Sequence, residues 1–237
     1  LEDSWADTQL SLGETRAAIQ VYDRLSESDI PSDFLVEVLE KGARIYLDLE
    51  EYHKAEHYAQ KLIDNNPGDS GRALAYYIRG DAEWERPNRD FTKMMKYYEQ
   101  ALDLDDESGP GGSHSQRAFM RMTNVIYLLN QDYETAATKY QYIVEQYPEG
   151  PYTYGAKYRL AESLQKLGHY LEAADAYNRC VEDFKSTEYI DPSMRKNALY
   201  RRGDCLFSAG SWAEAVEAYE DALRSLGFPD EAEAIAV

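Results

Sequence analysis

The sequence predicts an all-α chain, a solenoid of about five to six stacked helix–turn–helix repeats. Three observations predict it. A signature of a large ring, a small residue three positions on and usually a tyrosine seven on recurs along the chain. Spacings of three and seven share one face of a helix, so each copy reads as an amphipathic helix. A second apolar frame precedes each of the last five copies and supplies the other helix of a pair.

Taken in order, the first copy is "LGETRAAIQVYDRL", residues 12–25, with Thr15 at the ring position, then Ala18 and Tyr22. Its own first helix is only partly legible. "LEEYHKAEHYAQKLI" places Tyr52 and Ala55, and predicts helices over 34–48 and 51–65. "NRDFTKMMKYYEQAL" places Phe91 and Tyr98, with Met94 in the small position, and predicts helices over 72–85 and 90–103. Tyr133 with Ala136, Tyr170 with Ala173 and Trp212 with Ala215 repeat the pattern. They predict pairs at 116–130 and 133–146, 152–167 and 170–184, and 193–209 and 212–226. The ring positions recur every 37–42 residues. One pair alone cannot bury its apolar face, so neighbours must stack. Extra length falls in the connections "ERPNRD", "DDESGPGGSHSQ" and "KSTEYIDPS". The tail has Pro229 followed by acids, a helix-start signal, and reads as a closing helix over 229–237.

The first helices share a frame of ring, two residues, small residue, acid. In "AYYIRGDAEW", "AKYRLAESLQKLG" and "ALYRRGDCLFSAG" it aligns Gly80 with Ala161 and Gly203, and Asp81 with Glu162 and Asp204. Two Arg-Gly-Asp tripeptides, 79–81 and 202–204, are by-products of that register. An adhesion ligand works from an exposed loop, whereas both fall mid-helix. The glycine is expected to let the alanine of the partner helix approach closely, with the aspartate on another face.

These repeats resemble the tetratricopeptide repeat family over about residues 10–226, most closely in the fourth and fifth copies, where Gly168 and Gly210 fall at the turns. Pro67 and Pro148 close two repeats where that family often carries proline. Arg79 and Arg202 replace a family leucine, and the period exceeds the usual one. The resemblance implies one right-handed solenoid domain over 1–237, with repeats near 1–31, 34–67, 72–106, 116–148, 152–187 and 193–228. "QYPEGPYTYGAKYRLAESL", residues 146–164, also resembles a bacterial envelope-associated subgroup. That likeness favours a periplasmic or cell-envelope location over the cytoplasm. The chain begins at Leu1, as a trimmed or mature segment would.

Composition narrows the partners. The 44 acids against 25 bases give a net charge of −19. Phosphate backbones and anionic lipid are repelled by such a chain, and basic partners are favoured. No apolar run approaches the length of a bilayer span. Cys180 and Cys205 make no disulfide framework; they read as buried thiols, with a bridge open to them only in an oxidising compartment. His53 and His57 stand four apart with Glu56 between them, yet the order of a zinc-protease helix is missing, and a solvated face is the simpler reading. "DDESGPGG" lacks the spacing of a calcium loop and reads as linker. No phosphate loop, nucleophile elbow or catalytic dyad is present, so neither an enzyme site nor a cofactor or metal is expected.

What remains is the face of the first helices, which in the family lines the inner groove. The resemblance carries ligand-contact positions onto Tyr77, Asp81, Trp84 and Glu85 in the second repeat and Arg121 in the third. In the fourth they are Tyr158, Glu162, Gln165 and Lys166, and in the fifth Tyr200, Asp204 and Phe207. A row of rings and carboxylates suits an extended Lys- or Arg-bearing peptide. The expected function is therefore a non-catalytic protein–protein interaction scaffold in an envelope assembly. The alternative is a structural or regulatory segment of a longer protein carrying an enzyme elsewhere.

Overall fold

The computed structural model describes residues 13–65, 68–105, 113–183 and 192–225, and every regular element among them is helical. Helix α1 spans Thr15–Ser26, α2 Ser32–Asp48, α3 Tyr52–Asn65, α4 Asp69–Glu85 and α5 Phe91–Asp105. They are followed by α6 Ser113–Val125, α7 Tyr133–Gln146, α8 Thr153–Lys166, α9 Tyr170–Asp183, α10 Pro192–Ser208 and α11 Trp212–Ser225. Each predicted pair is found, and α1 is the second helix of the leading copy. The closing helix expected at 229–237 lies outside the described residues, as do the "DDESGPGG" loop from 106 on, Pro67 and most of the last long connection. Among the described residues no helix is long and apolar enough to cross a membrane.

Turn chemistry explains where the first helices stop. Gly13, Gly168 and Gly210 stand two residues before a ring position with φ near +80°, where a side chain is strained. Glu50 and Gln131 occupy the same place at φ 60° and 52° without being glycine. In the α8–α9 and α10–α11 turns an amide reaches back five residues, His169 N to Leu164 O at 3.0 Å and Ser211 N to Leu206 O at 2.9 Å. In the third pair Asp132 N reaches back six, to Ile126 O at 3.4 Å. The helix takes up that extra residue by widening into a π turn, Ile126–Asn130. This corrects the expectation of a continuous α-helix over 116–130. The Asp132 carboxylate then caps α7 through Thr135 N at 3.0 Å. Gln131→Gly relieves the left-handed strain and should raise stability by about 1 kcal/mol; a lower thermal midpoint would show that the turn is not under strain.

Packing divides the chain into two compact units, residues 1–122 and 123–237. The core of the first gathers Ala18, Tyr22, Leu39, Tyr46, Ala55, Tyr58 and Leu62. That of the second gathers Ala173, Tyr177, Cys180, Leu199, Cys205, Ala215 and Ala218. Ala173 and Ala215 are buried where paired helices touch, as the repeat register expects. Both cysteines are free and buried. Burial raises the Cys205 thiol to about 11 and the Cys180 thiol to about 12, so both stay protonated and unreactive at neutral pH.

Candidate interaction surface on the first helices

One tyrosine per pair fixes the first helix against the second. A Cβ built on Gly203 would lie 2.5 Å from the Tyr219 ring, and Gly80 and Gly42 face Tyr98 and Tyr58 with no more room. The register predicts the partner helix's alanine at this close approach; the ring of its tyrosine fills the space instead. The acid after the glycine is not turned away either. Asp81 accepts the Tyr98 hydroxyl and Asp204 the Tyr219 hydroxyl, each at 2.7 Å. Burial first and the neighbouring carboxylate second raise both phenols, so they remain donors.

The other pairs keep the tyrosine and change the acceptor. Tyr140 donates to Asn124 at 2.7 Å and Tyr177 to Gln165 at 3.0 Å. Tyr58 has no acid after Gly42 and donates to Asp23 of α1 at 2.7 Å, an oxygen it shares with Tyr46. The Arg-Gly-Asp tripeptides are therefore packing devices. Gly80 and Gly203 are buried within helices, and Arg79 donates to Gln60 at 2.5 Å while lying over the Tyr97 ring.

In the first unit the face of α2, α4 and α6 encloses a pocket of about 620 Å³. Arg44, Asp48, Glu50, Tyr52, Glu85 and the Asp81–arginine cluster line it. At its floor the Asp81 carboxylate, 6% exposed, accepts from Tyr98, from both nitrogens of the Arg117 fork and from Arg121 Nη1 at 2.6 Å. Arg121 reaches on to Glu85 at 2.5 Å and lies over the Trp84 ring. Tyr77 is buried beneath this cluster, 3.0 Å from Ser115 Oγ and stacked on His114. Asp48, Glu50 and Glu85 remain exposed around the mouth.

In the second unit Glu162 is buried and accepts from Arg159 at 2.8 Å, with Arg201 at 3.3 Å. Tyr158 is half-buried, edge-on to Tyr177. Gln165 is likewise half-buried, holding the Tyr177 hydroxyl, and Lys166 is exposed. Tyr200 and Phe207 are each 56% exposed, flanking half-buried Asp204. Reading the sequence missed the acceptors Asp23 and Asn124 and the bases Arg117 and Arg201. Of these only Arg117 carried a signal in the sequence, standing four residues before Arg121 on one helix face. At the histidine pair, His53 and His57 are exposed, and Glu56 is already engaged by Arg86 at 3.1 Å. Among the described residues no group of three or more His, Cys, Asp or Glu is placed to hold a metal.

Paired helices of this register, with small residues under a tyrosine, define a helical-repeat scaffold. Family models described as tetratricopeptide repeat match residues 41–111, 117–150 and 158–234, more than half of the chain. The chain belongs to the tetratricopeptide repeat family. Solved structures agree in fold. BtubC (BKLC) from P. vanneervenii is 16% identical with a TM-score of 0.70, over 94% of this chain and 91% of that one. YrrB, described as a TPR protein with an unusual peptide-binding site, is 18% identical with a TM-score of 0.61, over 86% and 91%. The apo form of RapI is 14% identical with a TM-score of 0.71, over 95% of this chain and 62% of that one. Curated proteins yielded no match. The repeats make this chain a protein-interaction scaffold, a fold that is generally non-catalytic.

Proposed function

We propose that the scaffold holds an extended, basic segment of a partner protein on the faces of its first helices. The observation that carries this is the mouth of the 620 Å³ pocket, where Asp48, Glu50 and Glu85 stand exposed beside Tyr52. The floor is neutralised by pairing, because Arg117 and Arg121 answer Asp81 and Glu85 between them, which leaves Asp48 and Glu50 as the rim acids for a ligand's cation. A cationic side chain is thus attracted to the rim, while exposed Arg44 can donate to the segment's carbonyl oxygens. In the second unit Tyr200, Asp204 and Phe207 offer two rings around a carboxylate, an anchor for another Lys or Arg. Tyr77, Asp81, Glu162 and Gln165 support these contacts from behind by holding the helices. The envelope-like stretch 146–164 supports placing the partner in a cell-envelope assembly.

Selection from a displayed library of extended peptides tests this reading. The selected sequences should be enriched in Lys and Arg, and their affinity should fall as salt rises. Tyr200→Ala should weaken a selected peptide by about 1 kcal/mol or more, and Glu50→Gln should flatten the salt dependence. Enrichment of acidic sequences, or unchanged binding by both folded variants, would remove the proposal.

A further inference from the structure

The exposed apolar surface is confined to one unit. Among the described residues every exposed large hydrophobic lies at or beyond Leu128. Six of them crowd the turns between first and second helices: Leu128 and Leu129, Tyr170 and Leu171, Phe207 and Trp212. Successive helices run antiparallel, so the α6–α7, α8–α9 and α10–α11 turns emerge at the same end of the second unit. The six side chains therefore form an apolar edge, one pair per repeat, which adjoins the first-helix face only at Phe207, where that ring meets Trp212 edge-on at 4.9 Å. Corresponding turns of the first unit carry Asp48, Glu50 and Glu51, or Arg86, Asn88 and Arg89. The edge is a property of the last three repeats and not of the fold in general.

Its charges are one-sided. From five residues before each ring position to five after, Asp132, Glu134, Glu172, Asp175, Glu214 and Glu217 are exposed, against Lys166, with Lys139 just beyond and Arg179 paired to Asp175 at 2.5 Å. A second copy would bring like charges together, and anionic lipid would be repelled. We propose that this edge is a second docking surface, for a partner segment that alternates large apolar side chains with Lys or Arg. The leucines and rings supply buried area, and the acids of the second helices select the cations.

The test is titration of the intact chain with a synthetic leucine–lysine amphipathic peptide and its leucine–glutamate counterpart. Wild type should bind the first and not the second. Leu128→Ser/Leu171→Ser removes apolar surface without changing charge, so loss of on the order of tenfold in affinity there separates docking from diffuse attraction. Tyr52→Ala, at the first-helix pocket, should leave this binding intact, which keeps a failure here distinct from a failure of the groove proposal. Equal binding by the leucine–serine variant, binding of the glutamate peptide, adsorption to anionic vesicles, or self-association abolished by the same two substitutions would each overturn the proposal.

Discussion

Gly80→Ala destabilises the protein, by about 1–3 kcal/mol, although the same change in an ordinary helix interior is worth roughly 0.5–1 kcal/mol in the opposite direction. The sign follows from the ring beneath the glycine. A new methyl at position 80 meets the Tyr98 ring, which is fully buried and cannot swing aside while its hydroxyl is held by Asp81 and Arg121. Gly203→Ala should act likewise against Tyr219, and leucine at either position should cost more. Thermal unfolding reads this directly. Midpoints that rise in both alanine variants would mean that the tyrosines do not pack on these glycines, and the Arg-Gly-Asp tripeptides would need another explanation.

The second large effect belongs to Asp81. Its carboxylate is the shared acceptor for one phenol and two guanidinium groups, and Arg121 is itself only 16% exposed in its side chain. Asp81→Ala takes the carboxylate from Arg117 and leaves Arg121 only Glu85, and breaking a buried pair from one side costs about 3–5 kcal/mol. Asp81→Asn keeps an acceptor for Tyr98 and should fall between. Asp204→Ala in the fifth pair loses one hydrogen bond to Tyr219, about 1 kcal/mol, because among the described residues no arginine is bound to it. Similar losses from Asp81→Ala and Asp204→Ala, measured by chemical denaturation, would show that the cluster is not the special feature of the second repeat.

Much of this architecture was legible because it is periodic. The ring, the alanine and the tyrosine recur in phase, so pairing, helix order and most boundaries followed from spacing alone. What spacing does not convey is which group a side chain meets. Gly203 was readable as a contact residue, yet whether alanine or tyrosine fills the gap depends on the depth of the helix crossing. The same limit applied to the first-helix face. Tyr77 and Asp81 occupy positions equivalent to Tyr200 and Asp204, but Arg117 and Arg121 fall on the first pair and, among the described residues, no counterpart falls on the second. One ring is thus buried and the other left open. The π turn escaped notice because it changes the register by one residue without altering composition.

Hydrogen-exchange footprinting with a basic peptide from the library selection tests the central claim most directly. The account predicts slowed exchange on the first helices, around Asp48, the 81–85 stretch of α4 and the 200–207 stretch of α10. Protection confined to α3, α9 and α11, with the first helices exchanging as in the free protein, would contradict it. Protection limited to the turns at 128–134 and 167–172 would also contradict it, and would assign the basic segment to the apolar edge alone.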